Sequence, residues 1–265
     1  MSLQVRIRGG AKRHDVAKLN TMHVYTVDTH GRFQPHVAKE WLLTNGIGGF
    51  ACGTVVGCNT RRYHSLLNAA LLPPVGRVAT LARVGEILCL DGRADHPLEL
   101  SVNQFGGGSV HPHGYRYLRR FEKGPSVRWA FDVEGVTVEK ELRLTHRRNL
   151  ATLRYLIRSD RPRRFEFKVL PFVALRDFHA LRRSAGAAIR AHSSDRHVEV
   201  ADGPLRLHLL ADAGCFVPAG DWWYGHVLPV ESERGQDDVE DLFVPGFYVL
   251  EGQDQAAFEL RFSTD

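Results

Sequence analysis

Long apolar runs are missing from this sequence of 265 residues. A membrane-spanning helix needs roughly 18 to 20 consecutive apolar residues, and no segment comes near that length. Residues 1–10 contain two arginines but no apolar block after them, unlike a secretory signal peptide. We therefore expect a protein with no membrane partner and no export signal.

Cysteine is scarce as well. The four cysteines are Cys52, Cys58, Cys89 and Cys215, and no two of them form a C-x-x-C pair. This usage is typical of free thiols in a reducing cytosol, which predicts a cytoplasmic location. The 14 histidines show no zinc-ligand spacing, so we expect neither a metal nor a cofactor.

Positive charge exceeds negative charge only slightly. Lys and Arg number 35 against 30 Asp and Glu, a net charge of +5, and no long basic tail occurs. Such a balance does not require an anionic polymer, and we expect no nucleic-acid partner. Hydrophobic residues make up 43% and charged residues 25%, the composition of an ordinary globular protein.

Helical periodicity is nearly absent, and a two-residue alternation takes its place. Val136, Val138 and Leu142 alternate with Glu139 and Glu141, which predicts a strand with one buried face. Five consecutive strands of this kind are predicted, at residues 115–121, 127–133, 136–144, 151–157 and 165–173. Short connections between them indicate an antiparallel meander.

The whole chain contains about 15 strand-like segments, more than one open sheet holds comfortably. We therefore predict an all-β fold of two antiparallel sheets packed face to face. A single helical turn is predicted around residues 175–181. Residues 37–265 are expected to form one domain, and residues 1–36 an N-terminal arm with one short strand at 22–27.

A glycine-rich segment runs from residue 40 to 67. It does not fit a phosphate-binding loop, because Thr54 and two valines follow where a Lys-Ser/Thr pair and a helix are needed. The dinucleotide pattern G-x-G-x-x-G is not met either. Its glycines therefore indicate tight turns or close backbone approach.

Two polar groups follow that allow more than one interpretation. Arg61 and Arg62 are adjacent, and their guanidinium groups either pair with acidic residues downstream or contact sugar hydroxyls. Asp177 lies two residues before His179, where it either orients the imidazole for proton transfer or caps a turn. The sequence leaves these alternatives open.

Aromatic and acidic residues are concentrated near residues 222–241. In a strand the indoles of Trp222 and Trp223 face opposite ways, so each either packs in the core or offers a platform for a pyranose ring. Residues 231–241 hold six carboxylates and one arginine, Arg234, without the ligand order of a calcium loop. They form either a solvated acidic loop or a salt-bridge network with Arg61, Arg62 and Arg176.

Three segments together resemble the bacterial and archaeal type glycogen debranching enzymes, the amylo-α-1,6-glucosidase family. They are EWLLTNGIGGFACGTVVGCNTRRYHSLL (40–67), LPFVALRDFHAL (170–181) and WWYGHVLPVESERGQDDVEDLFVPGFY (222–248). The resemblance covers residues 40–251 in the family's order. Ser65 is a small departure, since the family commonly has glycine there.

The resemblance implies the family's N-terminal domain, a β-supersandwich related to the galactose mutarotase fold. The family's hydrolytic carboxylates belong to a C-terminal (α/α)₆ barrel, so no catalytic residue is assigned here. Whether this chain has activity of its own stays open. We expect a domain that supports the barrel, in the same chain or in a partner chain, and binds an α-glucan such as glycogen.

The loops that carry these motifs are expected to cluster at one end of the sandwich. The candidate glucan-binding residues are Asn45, Arg61, Arg62, Tyr63, His64, Arg176, Asp177, His179, Trp222, Trp223, Tyr224, Glu231 and Arg234. A self-contained mutarotase-like epimerase is an alternative, with His64, His179 or His226 as acid and Glu231 or Asp177 as base. A pure assembly module is the third hypothesis.

Overall fold

The computed structural model describes residues 23–26, 33–34, 36–73 and 75–265. Within these residues the chain forms nineteen strands and one short α-helix, with 3₁₀ turns at His36–Ala38, Gly106–Gly108 and Gly114–Arg116. The strands are β1 (His23–Thr26), β2 (Glu40–Thr44), β3 (Phe50–Thr54), β4 (Ser65–Leu72), β5 (Gly76–Leu90), β6 (Leu98–Glu99), β7 (Val102–Gln104), β8 (Val110–His113), β9 (Leu118–Lys123), β10 (Val127–Val133), β11 (Val136–Leu144), β12 (Leu150–Ser159), β13 (Arg164–Asp177), β14 (Arg190–Ser194), β15 (His197–Asp202), β16 (Leu205–Ala211), β17 (Cys215–Val227), β18 (Val239–Gln253) and β19 (Gln255–Ser263). The helix is α1 (Pro229–Glu233).

Two large antiparallel sheets account for most of these strands, which confirms the predicted fold class. The first sheet has the order β1-β9-β10-β11-β12-β19-β16-β15-β14. The second has the order β17-β18-β13-β5-β4-β3-β2, with β6 added at the end of β5. The β18–β19 hairpin connects them, and β7 and β8 form a separate small sheet.

The predicted five-strand meander is confirmed in β9 to β12, but its fifth strand, β13, lies in the second sheet between β18 and β5. The β10–β11 turn consists of Glu134 and Gly135, both with positive φ, as a tight two-residue hairpin requires. Glycine is needed at the second position, because a Cβ there would lie 2.6 Å from a carboxylate oxygen of Asp160. The tight turn fixes the register in which Val133 faces Val136.

Aromatic contacts show that the two sheets pack against each other. Trp41 of β2 meets Trp129 of β10 edge to face, with ring centroids 5.6 Å apart. Tyr155 of β12 meets Phe167 of β13 at 5.2 Å. The Trp129 indole N–H also donates to the carbonyl of Val55 at 2.9 Å, so the buried ring keeps a hydrogen-bond partner.

One charged side chain of β11 points into the core. Lys140 shares the buried face of Val138 and Leu142, and its Nζ lies 2.5 Å from Oε1 of Glu86 on β5. The Tyr155 hydroxyl donates to the same oxygen at 2.9 Å. Burial and the Glu86 charge raise the pKa of Tyr155 well above its usual value. The core therefore contains a bonded ion pair.

The structure differs from the sequence-based predictions at three places. The helical turn predicted at 175–181 is wrong, since β13 continues to Asp177 and pairs there with β5. Its fully buried apolar residues at 173–175 reflect a strand enclosed on both faces. The helix α1 was not predicted, and the two strands expected within 77–90 form the single strand β5.

The predicted N-terminal strand at 22–27 is present as β1, which pairs with β9. Residues 1–22 of the predicted arm lie outside the described residues, and the domain boundary at residue 36 stays a prediction. Among the residues that the structure describes, no helix has both the length and the apolarity to span a membrane.

Candidate functional site

The connection between β3 and β4 brings the Arg61–Arg62 pair against the second half of the chain. The Val230 N–H donates to the Thr60 carbonyl at 3.1 Å, and the Arg62 N–H donates to Oε1 of Glu231 at 3.1 Å. Helix α1 is thus held beside this loop. We call the four charged residues that meet at this point, the buried Arg176, Glu231 and Glu240 and the partly buried Arg62, the arginine cluster.

Arg176 and Glu240 form the inner pair of the arginine cluster. Each side chain is only 4% exposed. The guanidinium contacts both carboxylate oxygens, through Nε to Oε1 and through Nη2 to Oε2 at 3.1 Å. Nη2 also donates to the carbonyl of Arg62 at 2.9 Å. This bidentate geometry pairs the two opposite charges where they are buried from solvent.

Arg62 and Glu231 form the outer pair. The Glu231 side chain is fully buried, and its Oε2 lies 3.4 Å from Nε of Arg62 and 3.6 Å from Nη1 of Arg234. The Arg62 guanidinium also donates to the carbonyls of His179, at 2.8 Å, and Asp237, at 3.1 Å. Of the two interpretations of the acidic segment, the structure therefore shows the salt-bridge network.

Arg61 does not join this network. It pairs with Glu40 at the start of β2, with Nε 2.7 Å from Oε1. His64 accepts the Thr60 N–H at Nδ1, so its Nε2 carries the proton that faces Glu40 at 3.4 Å. The hydrogen bond from His64 lowers the pKa of Glu40 to about 2, with a further contribution from Arg61 and against partial burial.

Aromatic rings lie beside the arginine cluster. Tyr63 contacts Phe178 at 5.5 Å and His179 at 5.7 Å between ring centroids, and Phe50 reaches Phe178 at 6.4 Å. The Tyr63 hydroxyl is 3.2 Å from Nδ1 of His179. These four residues are partly or fully exposed. We call them the aromatic ledge.

Asp177 caps the turn after β13, one of the two roles considered from the sequence. Its Oδ1 accepts the main-chain N–H of His179 at 2.8 Å. The contact therefore goes to the backbone of His179, whose imidazole faces Tyr63 instead. The contact between Asp177 and the His179 backbone therefore fixes the turn that carries part of the aromatic ledge.

The two tryptophans face opposite ways, as predicted. Trp222 packs on Phe243 at 5.4 Å, and Trp223 packs on Phe172 at 5.1 Å. Both indoles are partly buried, whereas Tyr224 is 61% exposed. The triplet lies within β17, so it belongs to a sheet and not to a loop.

Asn45 lies in a different environment from the other candidates. It is buried in the β2–β3 turn, where Nδ2 donates to the carbonyl of Arg148 at 2.9 Å and Oδ1 accepts the Ile47 N–H at 3.1 Å. These bonds tie the turn to the β11–β12 turn. Asn45 thus fixes the positions of two hairpins.

Glu40 and Glu240 were missed as site residues by the sequence analysis. The sequence carried a signal for Glu240, because Glu240 alternates in phase with Leu242 and Val244. This pattern predicts a buried side chain. Glu40 had none, because its partners are 21 and 24 residues away in the chain. His226 is buried against Arg83, and burial followed by the Arg83 charge lowers its pKa to about 2.

The described residues contain no group of three His, Cys, Asp or Glu side chains arranged to hold a metal ion. The sequence pattern of the family described as "Glycogen debranching enzyme N terminal" matches residues 39–258. This chain belongs to that family. The match confirms the resemblance found for residues 40–251, and no curated protein matches the chain.

Solved structures similar to this glycogen debranching enzyme N-terminal domain are distant from it. A 4-α-glucanotransferase from Thermococcus litoralis shares 13% identity over 69% of this chain, with a TM-score of 0.40. A bacterial glucoamylase complexed with acarbose shares 10% over 87%, with a TM-score of 0.39. The polysaccharide lyase BACCELL_00875 shares 9% over 91%, with a TM-score of 0.35. The chain spans 27%, 31% and 32% of these three proteins.

Replacing Arg176 by Met should destabilise the domain by about 3–5 kcal/mol, because Glu240 then stays buried without its cation. Chemical denaturation in urea measures this change. Arg183→Met is the matched control, since Arg183 pairs with Asp237 at an exposed position. That control should cost no more than about 1 kcal/mol. Equal costs for the two variants would contradict the interpretation of the arginine cluster.

Glu40 should make the stability of the domain depend on acidic pH. Its pKa is about 2 in the folded protein against 4.5 in a model peptide. Its contribution to the free energy of unfolding is therefore complete above pH 4.5 and disappears as pH falls toward 2. The difference in the free energy of unfolding between wild type and Glu40→Gln, measured by urea denaturation between pH 3 and 7, should shrink as the pH falls below 4.5. His64→Ala should reduce the same difference, and a pH-independent difference would refute the assignment.

Proposed function

We propose that this chain acts as the non-catalytic N-terminal domain of a glycogen debranching enzyme. In this role it supports a C-terminal (α/α)₆-barrel catalytic domain and helps bind an α-glucan. The family match over residues 39–258 carries the proposal. We expect the domain to work in the cytoplasm, with a glycogen-like polymer as the ligand.

The state of the buried carboxylates supports a non-catalytic role. Inverting glycoside hydrolysis needs one carboxyl group that holds its proton opposite one that is ionised. Glu86, Glu231 and Glu240 each form an ion pair inside the fold, with Lys140, Arg62 and Arg176 respectively. All three carboxylates are buried and face these cations, so none of them is presented to a bound sugar.

The aromatic ledge is the surface best suited to a glucan. Aromatic faces pack on the apolar side of a pyranose, while ring nitrogens and hydroxyls bond to its hydroxyl groups. Tyr63 and His179 provide both features side by side. The guanidinium of Arg77 stacks over the Phe178 ring at 5.5 Å and adds hydrogen-bond donors at the edge.

Glycogen should retard the purified domain in a native gel. Tyr63→Ala and His179→Ala should each restore mobility at least in part, because each removes one ring of the ledge. His192→Ala is the matched control, an exposed histidine on β14 that should leave retardation unchanged. Wild-type mobility that glycogen does not alter would leave only the supporting role, and an effect of Tyr224→Ala alone would move the contact to the candidates on β17.

An apolar hairpin favours contact with a following domain. Leu72 and Val75 in the β4–β5 hairpin are 72% and 76% exposed. The end of β19 lies at the same end of the sandwich, because the Thr264 N–H donates to the Asn149 carbonyl and the Asn149 side chain bonds the main chain of Ala70. A domain that follows in the chain would begin beside this hairpin and cover it.

The domain should therefore form a complex with a separately expressed barrel domain of a family member. Light scattering would detect the complex as a mass equal to the sum of the two. Leu72→Ser should weaken it, since the variant removes exposed apolar surface. Leu42→Ser, at a half-exposed leucine on β2, should leave it unchanged. A mixture that shows only the two separate masses would refute the supporting role without bearing on glycogen binding.

A further inference from the structure

Arg83 on β5 is a buried cation, and the residue is 5% exposed. Its Nη2 lies 3.0 Å from Nδ1 and 3.2 Å from Nε2 of His226, and its guanidinium stacks over the Phe172 ring at 4.7 Å. Its Nε is buried without a hydrogen-bond partner. Among the described residues, no carboxylate forms a salt bridge with it. Within the part of the chain that the structure describes, the core thus holds a guanidinium without a bonded counterion.

The groups around Arg83 do not supply the missing negative charge. Burial and the Arg83 charge keep His226 neutral by lowering its pKa to about 2. Burial raises the pKa of the nearby Cys58 thiol to about 11, so it stays protonated at neutral pH. Burial lowers the pKa of Arg83 itself only to about 10, and the guanidinium keeps its charge.

The carboxylates that interact with Arg83 at longer range are already paired. Glu86 is bonded to Lys140 and Glu240 to Arg176. Each of those pairs is neutral as a unit, so Arg83 remains as one uncompensated positive charge in this part of the core. Buried charges in proteins are ordinarily paired, because an isolated one is costly to remove from water.

A cavity of about 40 Å³ adjoins Arg83. Its charged lining residues are Arg83, Lys140 and Glu86, whose charges sum to +1, and Asn59 also lines it. This volume exceeds the roughly 10–15 Å³ that a cavity needs to admit one water molecule, so the cavity also has room for a small anion. Water would fill the space without neutralising the charge.

We propose that this cavity is a binding site for a small inorganic anion, with chloride as the natural ligand and Arg83 as its principal partner. Charge and burial both favour this class of ligand. The bound ion would neutralise the core between β5 and the β3–β4 connection. The site lies apart from the aromatic ledge, because no residue of the ledge lines the cavity.

Thermal unfolding of the wild-type chain in sodium chloride and in sodium gluconate, at equal ionic strength, tests the proposal. Gluconate is a much bulkier organic anion than chloride. Chloride should raise the melting temperature in a saturable way, by roughly 3–6 °C at ten times its dissociation constant. Bromide should act similarly. Equal melting temperatures in chloride and gluconate would overturn the proposal and leave water as the occupant.

Arg83→Met should abolish the difference between chloride and gluconate. Arg154→Met is the matched control, because Arg154 is an exposed arginine on β12, and it should keep the full difference. If Arg83→Met does not fold, wild-type crystals soaked in bromide still decide. An anomalous scattering peak beside Arg83 supports the site, and bromide found only at the surface refutes it.

Discussion

The buried pair of Arg176 and Glu240 holds one end of this sandwich together. Arg176 lies one residue before the end of the long central strand β13, and Glu240 is the second residue of β18. The same guanidinium donates to the main-chain carbonyl of Arg62 in the β3–β4 connection. Three segments distant in sequence thus share one charged group. Because neither charge reaches water, the positions of all three segments depend on this contact.

A second buried ion pair lies between the two sheets. Lys140 and Glu86 join the two sheets across the core, and Tyr155 adds a hydrogen bond to the same carboxylate. Such pairs are weak evidence for added stability, since desolvation offsets much of the attraction. They do fix orientation, because an unpaired partner would be costly. This polar contact therefore helps to set the registration of one sheet on the other, together with the aromatic contacts between them.

The same contacts determine which polar residues remain free for binding. Arg61, Arg62, Arg176, Glu231 and Glu240 of the family-like motifs form internal pairs, and Asn45 and Asp177 are used in turns. Exposed or partly exposed aromatic side chains remain at the surface, in the aromatic ledge and at Tyr224. The proposal that this domain binds a glucan while another domain cleaves the bond rests on this distribution.

The sequence by itself determined the class of fold, because side-chain alternation is a local property that each strand carries in its own residues. It also determined the opposite orientation of Trp222 and Trp223, and through three motifs the family. Only the tertiary structure decided the partners. Glu40 meets His64, Arg83 meets His226 and Glu240 meets Arg176 through sheet register and long connections. The continuation of β13 through residues 175–177 was likewise decided by burial against β5, which a local pattern does not record.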